Sequence, residues 1–448
     1  MSATVAAPVV AEDVGTEMHA LIAELYPICR SITGDGLRET LRRLEAYIPL
    51  TVHEVASGTS VLDWTVPREW NIRDAYVKNS RGERVVDFRQ SNLHVLNYSV
   101  PVRRTVSLAE LREHCFTLPD HPDWIPYRTS YYQEGWGFCL TQRQLQALPE
   151  DQYEVVIDSS LERGHLSYGE LVLPGETTDE ILVSCHACHP SMCNDNLSGV
   201  AVATYLARYL GREGAARRRH TYRFLFIPGT IGSITWLARN EAVVPRIKHG
   251  LVLASVGDAG GLHYKASRRE TAEIDRAMAH VLHHTGRPFE TMPFTPYGYD
   301  ERQYCSPGYD LAVGCLSRTP YAQYPEYHTS ADDLDFVRPE SLADSYATCL
   351  AVFDVLDGNE TYINQCPKGE PQLGRRGLYQ AIGGQSDTRG SELALLWALN
   401  LSDGNHSLLD IAERAGLPFP VIRRAANALV AHRLLIPAAP STPQKGVL

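Results

Sequence analysis

The stretch Ile181-Leu-Val-Ser-Cys-His-Ala-Cys-His-Pro-Ser-Met-Cys-Asn-Asp-Asn-Leu-Ser-Gly199 decides how the chain is to be read. Its first residues, Ile181–Ser184, are a short apolar run of the kind that forms a strand buried on both faces. Polar residues with chemical capacity follow at once: His186, His189 and Asp195, then Asn196-Leu-Ser-Gly199, which opens a helix. Open α/β sheets bind ligands in the crevice at the carboxyl ends of their strands. A histidine and an aspartate converging there can hold a divalent cation such as zinc. The plain alternative is a self-satisfied polar turn. Two more polar clusters weigh against it: Leu251-Val-Leu-Ala-Ser-Val-Gly-Asp258, a second apolar run ending in a carboxylate, and Pro325-Glu-Tyr-His-Thr-Ser-Ala-Asp-Asp333.

Outward from that stretch, residues 152–360 alternate strand and helix. Tyr153–Ile157, Ile181–Ser184, Tyr222–Ile227 and Leu251–Val256 read as strands; Gly199–Leu210, Ser233–Arg239, Ile274–His284 and Pro339–Val355 read as helices. This pattern predicts an α/β fold, a mostly parallel sheet with helices on both faces. Residues 14–47 are helical by apolar spacing. From Thr51 to Tyr98 the grammar changes to short strands broken by turns such as Ser57-Gly58 and Asn79-Ser80-Arg81-Gly82. Because α/β grammar returns afterwards, 54–149 reads as an inserted β-rich domain, with 1–53 and 150–362 forming the α/β domain. After a linker at Cys366–Pro371, three helical segments (Ser391–Asn400, Ser407–Ala415, Pro420–Leu434) make residues 371–448 a winged-helix domain.

Composition narrows the function classes. A chain of 448 residues exceeds one ordinary core, so several domains are expected. Hydrophobic residues at 44% against 21% charged exclude a disordered chain. No apolar run is long enough for a membrane-spanning helix, and Met1–Asp13 has no basic flank and reads as a tail rather than a signal peptide. Scattered cysteines suit reduced thiols in a cytoplasmic protein. Cys188 and Cys193 have structural-zinc spacing, but no second pair completes four thiolate ligands. The net charge of −11 argues against nucleic-acid binding by the whole chain. The C-terminal helices are mildly basic, with Arg423 and Arg424 in the third. Packing on the enzyme or pairing of two copies is their expected role, and DNA binding the alternative.

A strand ending in histidine, followed by Asp-x-x-Ser-Gly opening a helix, resembles the co-catalytic zinc aminopeptidase clan. The resemblance implies that Asp195 is the pivotal metal ligand, that His186 or His189 joins it, that Asp258 is the strand-end carboxylate, and that His328 is the late histidine. A narrower resemblance covers nearly the whole chain. Leu25-Tyr-Pro-Ile-Cys-Arg-Ser-Ile-Thr-Gly-Asp-Gly36, Asp63-Trp-Thr-Val-Pro67, Glu69-Trp-Asn-Ile-Arg-Asp-Ala75, Trp136-Gly-Phe-Cys139, Cys188-His-Pro190, Asn194–Gly199 and Tyr327-His-Thr-Ser330 are similar to a bacterial aminopeptidase-like family. That family carries an inserted β-rich domain and a C-terminal winged helix, and some members sit near polysaccharide or natural-product gene sets.

The chain departs from the clan after Tyr222–Ile227. Two adjacent glutamates are expected there, a general base and a ligand of the second zinc; here they are Gly229 and Thr230. One zinc ion is therefore expected. Three readings of the missing base follow: an inactivated variant, substitution by another carboxylate (Glu301 or Glu326), or binding without hydrolysis. In Tyr297-Gly-Tyr-Asp-Glu-Arg-Gln-Tyr304, Asp300 and Arg302 are candidate substrate contacts for an amino group and a carboxylate, with Tyr304 beside them. The expected function is zinc-dependent hydrolysis of an aminoacyl or small amide substrate. The alternatives are a metal- or peptide-binding protein and an amide-processing enzyme of polysaccharide or natural-product synthesis.

Overall fold

The computed structural model describes residues 13–212, 218–379 and 386–438. The described residues fall into two compact units: 13–272 with 288–347, and 273–287 with the chain from 348 onward.

The first unit is built on strands β1 (Thr51–Ala56), β2 (Glu69–Lys78), β3 (Arg84–Asp87), β4 (Val102–Ser107), β5 (Gln152–Glu162), β6 (His165–Leu173), β7 (Glu180–His186), β8 (Thr221–Ile227), β9 (Ile247–Leu253), β10 (Leu262–Lys265), β11 (Phe289–Met292) and β12 (Val313–Ser317). Eight of them form one sheet in the order β1-β6-β8-β7-β9-β12-β10-β11. The centre, β8-β7-β9-β12, is parallel. β1 and β6 join antiparallel on one side, and β10 meets β12 antiparallel on the other. The sheet is thus mixed, with a parallel middle. Every residue of β7 and β8 is buried, which is why both read as mainly apolar runs. Helices Gly199–Leu210 and Ile231–Arg239 follow β7 and β8 and bury most of their residues.

The remaining strands form a separate antiparallel sheet, β3-β2-β5-β4, over its own core of Val77, Val86, Val106, Phe138, Val155 and Ile157. Tyr153–Ile157, expected in the α/β alternation, belongs here: Val155 and Ile157 pair with Val77 and Ala75 of β2. The β-rich sheet therefore extends to Glu162, past the expected boundary at 149. An apolar run such as Val155-Val156-Ile157 looks alike in either sheet; only the pairing partner separates them.

In the second unit, strands β13 (Thr361–Asn364), β14 (Asp403–Ser407) and β15 (Leu435–Pro437) form a small sheet in the order β14-β13-β15. It accompanies helices Ser386–Leu401, Leu408–Ala415 and Phe419–Ala431. Arg423 is held by Asp354 at 2.6 Å, whereas Arg424 is exposed. Parts of the sequence reading, residues 1–12 and 439–448, lie outside the described residues. No helix among the described residues is long and apolar enough to cross a membrane.

Within the main sheet Arg223 of β8 reaches Glu180 of β7 at 2.7 Å and Glu170 of β6 at 2.6 Å, ion pairs cut off from solvent. Arg223→Leu leaves the buried Glu180 without its guanidinium, while Glu170 keeps Trp236 Nε1 at 2.9 Å, and removing one partner of a buried pair costs about 3–5 kcal/mol. Denaturant unfolding of the variant is expected to show a loss of that order; a change below about 1 kcal/mol would mean the ladder is not stabilising.

Candidate metal centre

The carboxyl end of β7 delivers His186, and the chain then turns through six wholly buried residues, Cys193–Ser198. Their polar side chains are consumed in tying this turn to its surroundings. Asn194 Nδ2 donates to Asp258 Oδ2 (3.0 Å), and its Oδ1 accepts from Gly257 N (2.9 Å). Asn196 Nδ2 donates to the carbonyls of His186 (3.2 Å) and Leu253 (2.9 Å). Ser198 Oγ accepts from Val256 N and donates to Asn194 O. The closing glycine is required sterically: a Cβ on Gly199 would lie 2.4 Å from Leu253 O. Asp332 completes the frame, accepting from the backbone of Asn194 at 2.5 Å and of Asp195 at 2.9 Å.

This frame aims Asp195 at three histidines. His186 Nε2 is 2.8 Å from Asp195 Oδ1, and His328 Nε2 is 3.0 Å from Oδ2. His328 reaches this position from left-handed backbone, φ 56°, with its carbonyl held by Tyr127 N at 2.8 Å. The His189 ring lies 4.9 Å from that of His186 and 5.2 Å from that of His328. Its turn is fixed by the buried Arg30, whose Nε donates to His189 O at 2.6 Å. His186, His189 and Asp195 each offer a donor atom, all within 4.8 Å of one another. The buried Nδ1 of His189 has no hydrogen-bond partner. An orphaned imidazole lone pair beside a buried carboxylate is the signature of a group that suits a metal ion.

Electrostatics agree. Burial alone would raise the Asp195 carboxyl; the nearby His189 and His186, with hydrogen bonds from His186 and His328, overcome it and hold the group well below the carboxylate range. Burial pushes the His189 imidazole down to about 3, so the ring is neutral and can ligate.

Of the two alternative histidines, His186 and His189, the structure brings both to Asp195, together with His328. Asp258 does not join them. Its four acceptor positions go to Asn194 Nδ2, Thr319 N, Gly260 N and Thr319 Oγ1, so it braces the turn instead of ligating. Glu301 is buried against Lys265 Nζ at 2.6 Å and is absent from the cavity walls, as is Glu326. Neither is placed as a base. Tyr304 is buried with its hydroxyl on Ser184 Oγ, and neither it nor Arg302 lines the cavity, whereas Asp300 does. None of the cysteines forms a disulfide, and burial pushes the Cys188 thiol up to about 12, which fits inert thiols.

Beside the donor set opens a cavity of about 240 Å³. Tyr131, Tyr132, Tyr299 and Tyr327 wall it, and Gly229, Thr230 and Asp300 complete it next to the histidines. Sequence reasoning missed Arg30, Asp332 and these tyrosines. Asp332 sat within the quoted Pro325–Asp333 stretch; nothing in the sequence joined Arg30 to a turn 159 residues away.

A peptidase-like α/β unit with a buried histidine–aspartate centre and an appended winged helix is the class that these features define. Residues 19–359 match a family described as a domain of unknown function (DUF4910), and the chain belongs to it; residues 360–437 match a winged helix-turn-helix model. A relative from Clostridium acetobutylicum, named "Putative polysaccharide biosynthesis protein with aminopeptidase-like domain", is 53% identical over 423 residues, 94% of this chain and 96% of that one. A crystal structure of a "putative peptidase" from the same organism superposes with a TM-score of 0.90 at 52% identity, covering 95% of this chain and 97% of that one. The zinc aminopeptidase BSAP from Bacillus subtilis shares the fold at 13% identity, TM-score 0.58, over 79% of this chain and 96% of that one.

In zinc titrations followed by calorimetry, Asp195→Ala is expected to abolish tight binding, and His186→Ala and His189→Ala to weaken it. Asp332→Asn, which only orients the turn, should cost about 10–100-fold in affinity. Full binding by both histidine variants would remove them from the donor set.

Proposed function

We propose that the chain is a zinc-dependent, aminopeptidase-like hydrolase that cleaves an aminoacyl or small amide bond. The observation that carries this reading is the convergence of His186, His189 and His328 on Asp195 beside an open cavity. Imidazole and carboxylate donors suit zinc, and one ion matches the set, since Thr230 stands where a second ion would need a carboxylate. Bound there, zinc would polarise a carbonyl and favour ionisation of water. The chain's own contribution is a fixed donor set and aromatic walls beside it; the cavity volume suits one residue-sized group.

A second reading places the amide on a saccharide. The name of the Clostridium acetobutylicum relative supports it. The acyl-transfer chemistry is the same; the substrate differs.

Zinc-loaded protein is expected to hydrolyse members of a panel of aminoacyl anilides, dipeptides and N-acyl amino sugars, to lose this with chelator and to regain it with zinc. No chelator-sensitive turnover on any member would reject the hydrolase reading. Turnover confined to the sugars would select the second.

A further inference from the structure

The cavity contains one acidic group that the donor set does not use. Asp300 is 1% exposed. Its Oδ1 accepts from Ser233 Oγ at 2.8 Å, which fixes the carboxylate plane, while the buried Oδ2 has no hydrogen-bond partner. A Cβ built on Gly229 would stand 3.4 Å from that oxygen and 3.1 Å from the Cβ of His186. The free oxygen thus faces the space that a side chain at 229 would enter, on the wall that carries His186. We propose that Asp300 is the general base of this site, in place of any group at position 229.

The other cavity residues leave no competitor. The histidines belong to the donor set. Burial raises Tyr299 and Tyr327 above the usual phenol range, so they stay neutral and do not accept a proton. Gly229 has no side chain and Thr230 carries only a hydroxyl. Asp300 is the one carboxylate among the cavity-lining residues, and with its plane fixed by Ser233 its Oδ2 is left to take a proton. The expected candidate Glu301, its neighbour, is turned away to Lys265.

The step rests on the hydrolase reading. As a water oxygen bonds to the amide carbon, the water's proton passes to Asp300 Oδ2. The C–N bond then breaks, its electron pair goes to nitrogen, and the same proton passes from Asp300 to that nitrogen. Water and amide become carboxylic acid and amine, and the carboxylate is regenerated.

The test uses the zinc-loaded full chain and the best substrate of the panel. Inert wild-type protein would reject the hydrolase reading itself, and the base assignment with it, before any variant is made. With active wild type, Asp300→Asn is expected to lower kcat by about 10²–10⁴-fold, with KM and zinc content unchanged. Retained kcat, or a rise in KM alone, would overturn the assignment and make Asp300 a binding group. Asp300→Ala gives a second readout independent of the amide: added formate, small enough for the cavity, should restore turnover in a saturable manner. A folded, zinc-replete Asp300→Ala protein with near-wild-type activity would also overturn it.

Discussion

The Asp195 carboxylate, buried and clasped between His186 and His328, is the interaction on which the rest of the site depends. An ionised carboxylate out of water is costly unless its oxygens are partnered. Two imidazoles supply those partners, and Asp332 holds the backbone that carries it. The turn Cys193–Ser198 can be wholly buried only because Asn194, Asn196 and Ser198 bond to loops and strand ends around it. The phrase Asn-Asp-Asn-Leu-Ser-Gly is thus one candidate ligand and its scaffold: its second residue, Asp195, faces the histidines, and Asn194, Asn196 and Ser198 hold it there.

Four aspartates buried in this region, Asp195, Asp258, Asp300 and Asp332, show how environment divides one side chain into different roles. Asp195 is depressed by its histidines. Asp258 is saturated by donors and serves as a strut. Asp332 grips two successive backbone N–H groups, and burial lifts its carboxyl to about 8 despite them. Asp300 has one oxygen anchored and one free. Separation of carboxyl groups by environment is the general means by which one site holds both a fixed anion and a proton acceptor.

What was legible in the sequence follows from the range of the signals. Strand ends and local motifs carry their own evidence, so the parallel centre of the sheet, Asp195 and His328 could be named, with His186 and His189 as alternatives. Asp258 could not, because its donors Asn194 and Thr319 lie 64 and 61 residues away in the chain. Asp300 and Glu301 are adjacent, and sequence does not say which of two neighbours at a short helix start faces a cavity. The same holds for Tyr153–Ile157, whose apolar alternation fits either sheet until its partner β2 is known. Local grammar identifies the groups; tertiary pairing decides which are spent on structure.

The inserted β-rich segment takes part in the site as well as decorating the fold. Tyr127 N donates to the carbonyl of His328, Ile125 N donates to Ser330 Oγ, and Pro126 bridges Thr329. Tyr127 also sets its ring edge-on to both His189 and His328 at 5.1 Å. A few residues on, Tyr131 and Tyr132 form cavity wall. The segment that steadies one ligand therefore also shapes the space a substrate must enter. His186, Asp195 and Asp300 come from the ends and loops of the main sheet, while Tyr131 and Tyr132 of the cavity wall come from the β-rich segment, so substitutions at those two tyrosines change the wall without replacing any of the polar groups.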